Sequence, residues 1–148
     1  MKLSGQKPWG VGVNVENLWQ LIENNTIALV KCVPDTSDIK QIGPQEFEFK
    51  IMVRMGPVSG TFNSRVKIES IDKASGKVAM TLNSKGPGAV MNASITATIS
   101  QTGVSYDADV NLSGLLAAVG ERLIRNYIDG KLNEFLTNLV KLAKTGQC

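Results

Sequence analysis

Residues 46–69 read EFEFKIMVRMGPVSGTFNSRVKIE. Before Gly56, Phe47, Phe49, Ile51, Val53 and Met55 alternate with Glu48, Lys50, Met52 and Arg54. After Gly60, Phe62, Ser64, Val66 and Ile68 alternate with Asn63, Arg65, Lys67 and Glu69. A period of two sends each set to its own face of a β-strand. Gly56-Pro57 between the runs reads as a hairpin turn, because proline fixes φ and has no N–H to give a ladder. Gly60 reads as a bulge that bends the second strand. The stretch predicts two antiparallel strands, curved, with one apolar face.

The pattern continues downstream. Val78, Met80 and Leu82 form one face of a third run, Ala89, Met91, Ala93, Ile95, Ala97 and Ile99 of a fourth, and Val104, Tyr106, Ala108, Val110 and Leu112 of a fifth. The joints are short, at Lys73–Gly76, Gly86–Gly88 and Gln101–Gly103. Such joints make sequential strands antiparallel neighbours, hence a meander. Upstream, Asp38–Ile42 begins the meander, and residues 2–13 read as a first strand placed at an edge by Pro8. Between them, Asn14 caps a short helix over Val15–Asn24, and a second short helix starts at Asn25 or Thr26 and ends before Pro34. After the meander, Leu115 to Lys144 carries apolar residues at helical spacing with no proline. Ser113 is its expected N-cap, and roughly 28 residues of helix would reach about 42 Å, enough to cross a curved sheet.

The chain has 148 residues, 43% hydrophobic and 20% charged, which fits a single domain over residues 1–148. A net charge of +3, dispersed, does not point to nucleic acid. No apolar run is long enough to span a membrane, and MKLSGQKPWG lacks the apolar core of a signal peptide. The expected location is therefore the cytoplasm. There is no histidine, so the commonest general base and metal ligand are missing. The two cysteines, Cys32 and Cys148, have no metal-ligand spacing; a disulfide is rare in the cytoplasm, and Cys32 reads as a small buried side chain. No cofactor, metal site or catalytic residue is expected.

Four local motifs resemble a known family. Glu16-Asn17-Leu18-Trp19 is similar to its E-x-V-W, and Lys31-Cys32-Val33-Pro34 to its R-C-I-P. Met55-Gly56-Pro57-Val58-Ser59-Gly60-Thr61-Phe62 is similar to its V-G-P-V-K-G-T-F. Gly114, Leu116, Ala117, Gly120, Arg122, Leu123 and Ile124 match its G-x-L-A-x-x-G-x-R-L-I. In this order they resemble the CoxG family of carbon monoxide dehydrogenase, within the START-like, polyketide cyclase-like superfamily. The resemblance implies an α+β helix-grip fold: a seven-stranded curved antiparallel sheet wrapped around a long C-terminal helix, with two short helices after strand 1.

The resemblance also implies a binding protein for an apolar small molecule, a quinone or lipid. It would be accessory to a molybdenum hydroxylase of the carbon monoxide dehydrogenase type. It leaves open peripheral contact with the inner face of the cell membrane. The alternative is a small cyclase or hydrolase of the same superfamily. The expected ligand-lining residues are Phe47, Phe49, Ile51, Val53, Phe62, Val66, Met80, Leu82, Met91, Ile95 and Tyr106 on the sheet, with Gly120, Leu123 and Tyr127 on the helix. Singly each reads as core; as a set, with small alanines among them and mainly on the strength of the resemblance, they read as the wall of a pocket rather than a solid core. Asp107 and Asp109 fall on the outward face, as do Lys50, Arg54, Arg65 and Lys67, which read as solvated charges or as a patch for anionic headgroups.

Overall fold

The computed structural model describes all residues, Met1–Cys148. Seven strands form one antiparallel sheet: β1 Lys2–Pro8, β2 Thr36–Gly43, β3 Glu46–Met55, β4 Val58–Asp72, β5 Lys77–Gly86, β6 Ala89–Ile99 and β7 Gly103–Gly114. Their order is β1-β7-β6-β5-β4-β3-β2, so β2 to β7 are a meander and β1 joins the far edge beside β7. Helices α1 Val15–Asn24 and α2 Thr26–Val30 lie between β1 and β2. Helices α3 Leu115–Ala118 and α4 Glu121–Thr145 follow β7.

The β3–β4 hairpin turns at Gly56-Pro57, with Met55 facing Val58. Gly56 has φ +55, the positive value that the first central residue of such a turn needs when proline follows. The expected bulge at Gly60 is absent. The β3–β4 register runs unbroken through Val53↔Gly60, and the register shift lies between Ile68 and Ser70, against β5. Gly60 instead holds φ +146, with its Cα turned toward Pro87 of the next hairpin.

Side-chain parity follows the registers. Phe62, Ser64, Val66 and Ile68 of β4 pair across to Ile51, Phe49 and Phe47 of β3 and to Ser84, Leu82 and Met80 of β5. These side chains share the inner face. The outer face carries compensated charge: Arg65–Glu48 at 2.6 Å, Lys50–Asp38 at 3.3 Å and Lys67–Glu69 at 4.0 Å. Asp107 and Asp109 are exposed, and Asp109 lies 3.6 Å from Lys2.

Two buried clusters close the ends of the inner face. At one end Val53, Met55, Val58, Phe62 and Ala89 meet Leu116, Val119 and Ile124. At the other, Trp9 and Val78 meet Val15, Leu18, Trp19 and Ile22 of α1, with Leu136, Val140 and Ala143 of α4 against them. Asn14 caps α1 by accepting the Glu16 N–H at 3.0 Å, and the Trp9 indole donates to the Ser100 carbonyl at 2.9 Å.

The single C-terminal helix expected from Leu115 to Lys144 is broken. Val119 (ψ 137) and Gly120 (ψ 139) are extended, so α3 and α4 are separate. The break has a packing reason. Leu116, Val119 and Ile124 all enter one cluster, whereas on an unbroken helix Val119 and Ile124 would point about 140° apart. Nor does Ser113 cap a helix: it lies within β7, and Gly114, the last residue of that strand, takes the cap position with φ +67. A Cβ there would strike the Gly88 carbonyl, which accepts the Leu115 N–H at 2.8 Å.

The reading of Cys32 is half corrected. Its side chain is buried, but its sulfur is bonded to Cys148 across a sequence separation of 116 residues. The end of α4 returns to α2, bringing the two Cα atoms to 5.4 Å, inside the range a disulfide spans.

Candidate ligand groove beneath the C-terminal helix

Helix α4 crosses the inner face of the sheet and is tied along both flanks by polar contacts. On the β1–β7 side, Arg125 Nη1 donates to the Lys2 carbonyl at 3.2 Å, and the Tyr106 hydroxyl donates to Asp129 Oδ1 at 3.1 Å. On the opposite side, Lys131 Nζ meets Asp35 Oδ2 at 2.6 Å, and Asn138 Nδ2 donates to the Cys32 carbonyl at 2.8 Å. The disulfide fastens the end on that same side.

Between these ties part of the apolar surface is only half-buried. Ile51, Val66, Met80, Leu82, Met91 and Ile95 on the sheet, and Tyr127, Ile128, Leu132 and Phe135 on α4, all stay half-buried. The open outer face is not the cause. Ser64 and Ser84, on the same central strands, are fully buried and satisfy each other through a 2.7 Å hydrogen bond. Phe47, Phe49, Val53 and Phe62 are buried too, Val53 and Phe62 in the cluster beside the β3–β4 turn and Phe47 and Phe49 with Val30 of α2. The result is a middle stretch of half-buried aliphatic and methionine side chains, which pack on the β1–β7 side against buried Leu3, Ala93 and Val110 and on the β3 side against buried Val30, Phe47 and Phe49.

Of the residues expected to line a pocket, the structure brings Ile51, Val66, Met80, Leu82, Met91, Ile95, Tyr106 and Tyr127 to this stretch. Gly120 and Leu123 stand apart. Gly120 is exposed at the joint of α3 and α4, and Leu123 lies against the Gly56 turn, 2.9 Å from where a Cβ on Gly56 would sit. Asp129, Arg125, Lys131 and Asp35 are flank residues that alternation does not single out. The signal was available in Arg125 and Asp129, a charged pair one helical turn apart beside an apolar stripe.

Few groups here could do chemistry. Burial, then the hydrogen bond and the charge of Asp129, push the Tyr106 hydroxyl up to about 12. It is thus a permanent donor near neutral pH rather than a base. Its partner is a carboxylate, where a backbone carbonyl is the commoner choice. The Lys131 ammonium is raised by its hydrogen bond to Asp35 and also lies over the Tyr127 ring, 5.6 Å from its centroid. No three or more Cys, Asp or Glu side chains gather as a metal's ligands would.

A curved seven-stranded antiparallel sheet holding a long C-terminal helix defines the helix-grip, START-like class, and solved structures agree. A conserved protein from Geobacillus kaustophilus superposes with TM-score 0.75 at 18% identity, covering 96% of this chain and 97% of that one. A START superfamily protein from Mycobacterium smegmatis gives 0.64 at 12% identity, covering 99% of both chains. The Zhui aromatase/cyclase from Streptomyces sp. R1128 gives 0.61 at 14% identity, covering 99% of this chain and 97% of that one. At these identities the likeness is one of fold. Comparison with curated proteins finds no match. The family model for CoxG of carbon monoxide dehydrogenase matches residues 9–143, and the chain belongs to that family.

Proposed function

We propose that this protein is a non-catalytic holder of an apolar small molecule, a quinone or a lipid, bound between the sheet and α4. We further propose that it serves a molybdenum hydroxylase of the carbon monoxide dehydrogenase type, with peripheral contact at the inner face of the cell membrane. One observation carries the ligand reading: the half-buried band from Ile51 to Ile95 beneath a helix tethered at its flanks. Apolar surface left without partners costs about 25 cal/mol per Å², and an apolar ligand would recover it. Family membership supports the partner. No helix is long and apolar enough to cross a membrane, so the contact would be made at a surface.

The test is native mass spectrometry with a short-chain isoprenoid quinone and, separately, a phospholipid. The wild type should retain one ligand. Leu82→Trp, which fills the band between Val66 and Ala93, should lose it while keeping its circular dichroism spectrum. An apo mass under excess of both ligands would defeat the ligand reading. The alternative, a cyclase or hydrolase, would rest on Tyr106 and Asp129 as the proton-handling pair at the groove. It would gain the upper hand if Tyr106→Phe abolished a turnover without weakening ligand binding.

A further inference from the structure

Three segments remote in sequence meet at one end of the molecule: residues 52–62 around the β3–β4 turn, 83–92 around the β5–β6 turn, and 112–123 through α3 into α4. The contacts are direct. Pro87 lies 3.5 Å from where a Cβ on Gly60 would sit, and Leu115 lies 3.4 Å from the equivalent point on Gly88. Leu123 covers Gly56. This end exposes Pro57 and Pro87, with Leu115 at 54% and Leu123 at 43% accessibility.

Basic side chains accompany these exposed residues. The three segments hold Arg54, Lys85 and Arg122 against one acid, Glu121, which Arg125 binds at 2.9 Å. Arg54, Lys85 and Arg122 make no ion pair, whereas Lys50, Arg65, Lys67, Lys73 and Lys131 are all matched by carboxylates. The basic outer face suggested by the sequence is thus largely neutralised. Lys7, Lys40 and Lys77 elsewhere are unpaired too, but at this tip the unpaired cations stand beside exposed Met52, Leu115 and Leu123.

We propose that the tip docks on an anionic lipid bilayer. Exposed leucine and proline side chains enter the interface, and the unpaired cations meet headgroup phosphates. The assignment rests on the membrane contact proposed above and names its surface. A surface offering acidic groups alone would match the cations but leave Leu115 and Leu123 without an apolar environment.

The test is vesicle flotation of the full chain with equimolar phosphatidylglycerol and phosphatidylcholine, and with phosphatidylcholine alone. The wild type should float only with the anionic vesicles. The triple variant R54Q/K85Q/R122Q should bind about 100-fold more weakly, and Leu115→Ser about tenfold. The variant K7Q/K40Q/K77Q, which removes equal charge away from the tip, should bind within about twofold of wild type. Equal losses in the two triple variants would overturn the tip as the docking surface while leaving membrane contact standing. Absence of wild-type binding to anionic vesicles would overturn both. Circular dichroism of each variant separates loss of binding from loss of fold.

Discussion

A methyl group on residue 86 would strike the ring of Phe62, which is buried at the rim of the sheet. Gly86 is therefore required for space rather than for an unusual φ, a need invisible to a reading that takes Gly86-Pro87-Gly88 only as a turn. Gly86→Ala should lower stability by about 1–3 kcal/mol through overpacking, measured as a shift of the urea midpoint; an unchanged midpoint would show that Phe62 moves aside freely. Tyr106 makes a second prediction at this scale. Its folded pKa of about 12 lies above the ordinary value near 10, so the fold favours the neutral phenol. The stability this contributes is complete below about pH 10 and is lost as pH rises toward 12. Thermal melts over that range should fall more steeply for wild type than for Tyr106→Phe. Parallel curves would mean that Tyr106 is not shielded. The inward direction of Tyr106 was legible from alternation, but its partner was not, since Asp129 reaches it only once α4 is laid across the sheet.

Strands and short helices were largely legible because each declares itself locally. Val15–Asn24 matches its reading residue for residue, since an Asn cap and an apolar stripe are contained within one short window. The break between α3 and α4 was not legible. Nothing about Val119-Gly120 forbids helix, and glycine costs only about 1 kcal/mol there; the extended geometry is set by the cluster that Leu116, Val119 and Ile124 share. The disulfide was hidden for a similar reason, as only tertiary structure brings residues 116 apart in sequence together. It fixes the end of α4 to α2, beside the Asn138 tie. Cys148→Ser, or reduction, should cost about 2–4 kcal/mol, read as a lower melting temperature in dithiothreitol. Equal melting with and without reductant would mean that the polar ties alone hold the helix end. In a reducing cytoplasm the bridge would stand open, so alkylation of cell extracts would report which form the protein takes there.

At the scale of the whole molecule, alternation and short joints specified an antiparallel meander and an apolar helical stretch long enough to cross it, while the helix-grip plan came with the family resemblance. Which inner residues remain uncovered was beyond that reading, because parity gives the direction of Leu82 and Phe62 alike and says nothing of how closely α4 approaches each. The free edges of the sheet carry a last consequence. β1 offers seven residues ending in Pro8. β2 pairs with β3 through two register irregularities, and Asp38 in it has φ +52. Neither border is a long, straight row of free N–H and C=O groups. A second copy arriving side by side would find only a short strand at one border and an irregular one at the other, so these margins guard against runaway polymerisation of a protein whose one sheet takes up about half of its residues.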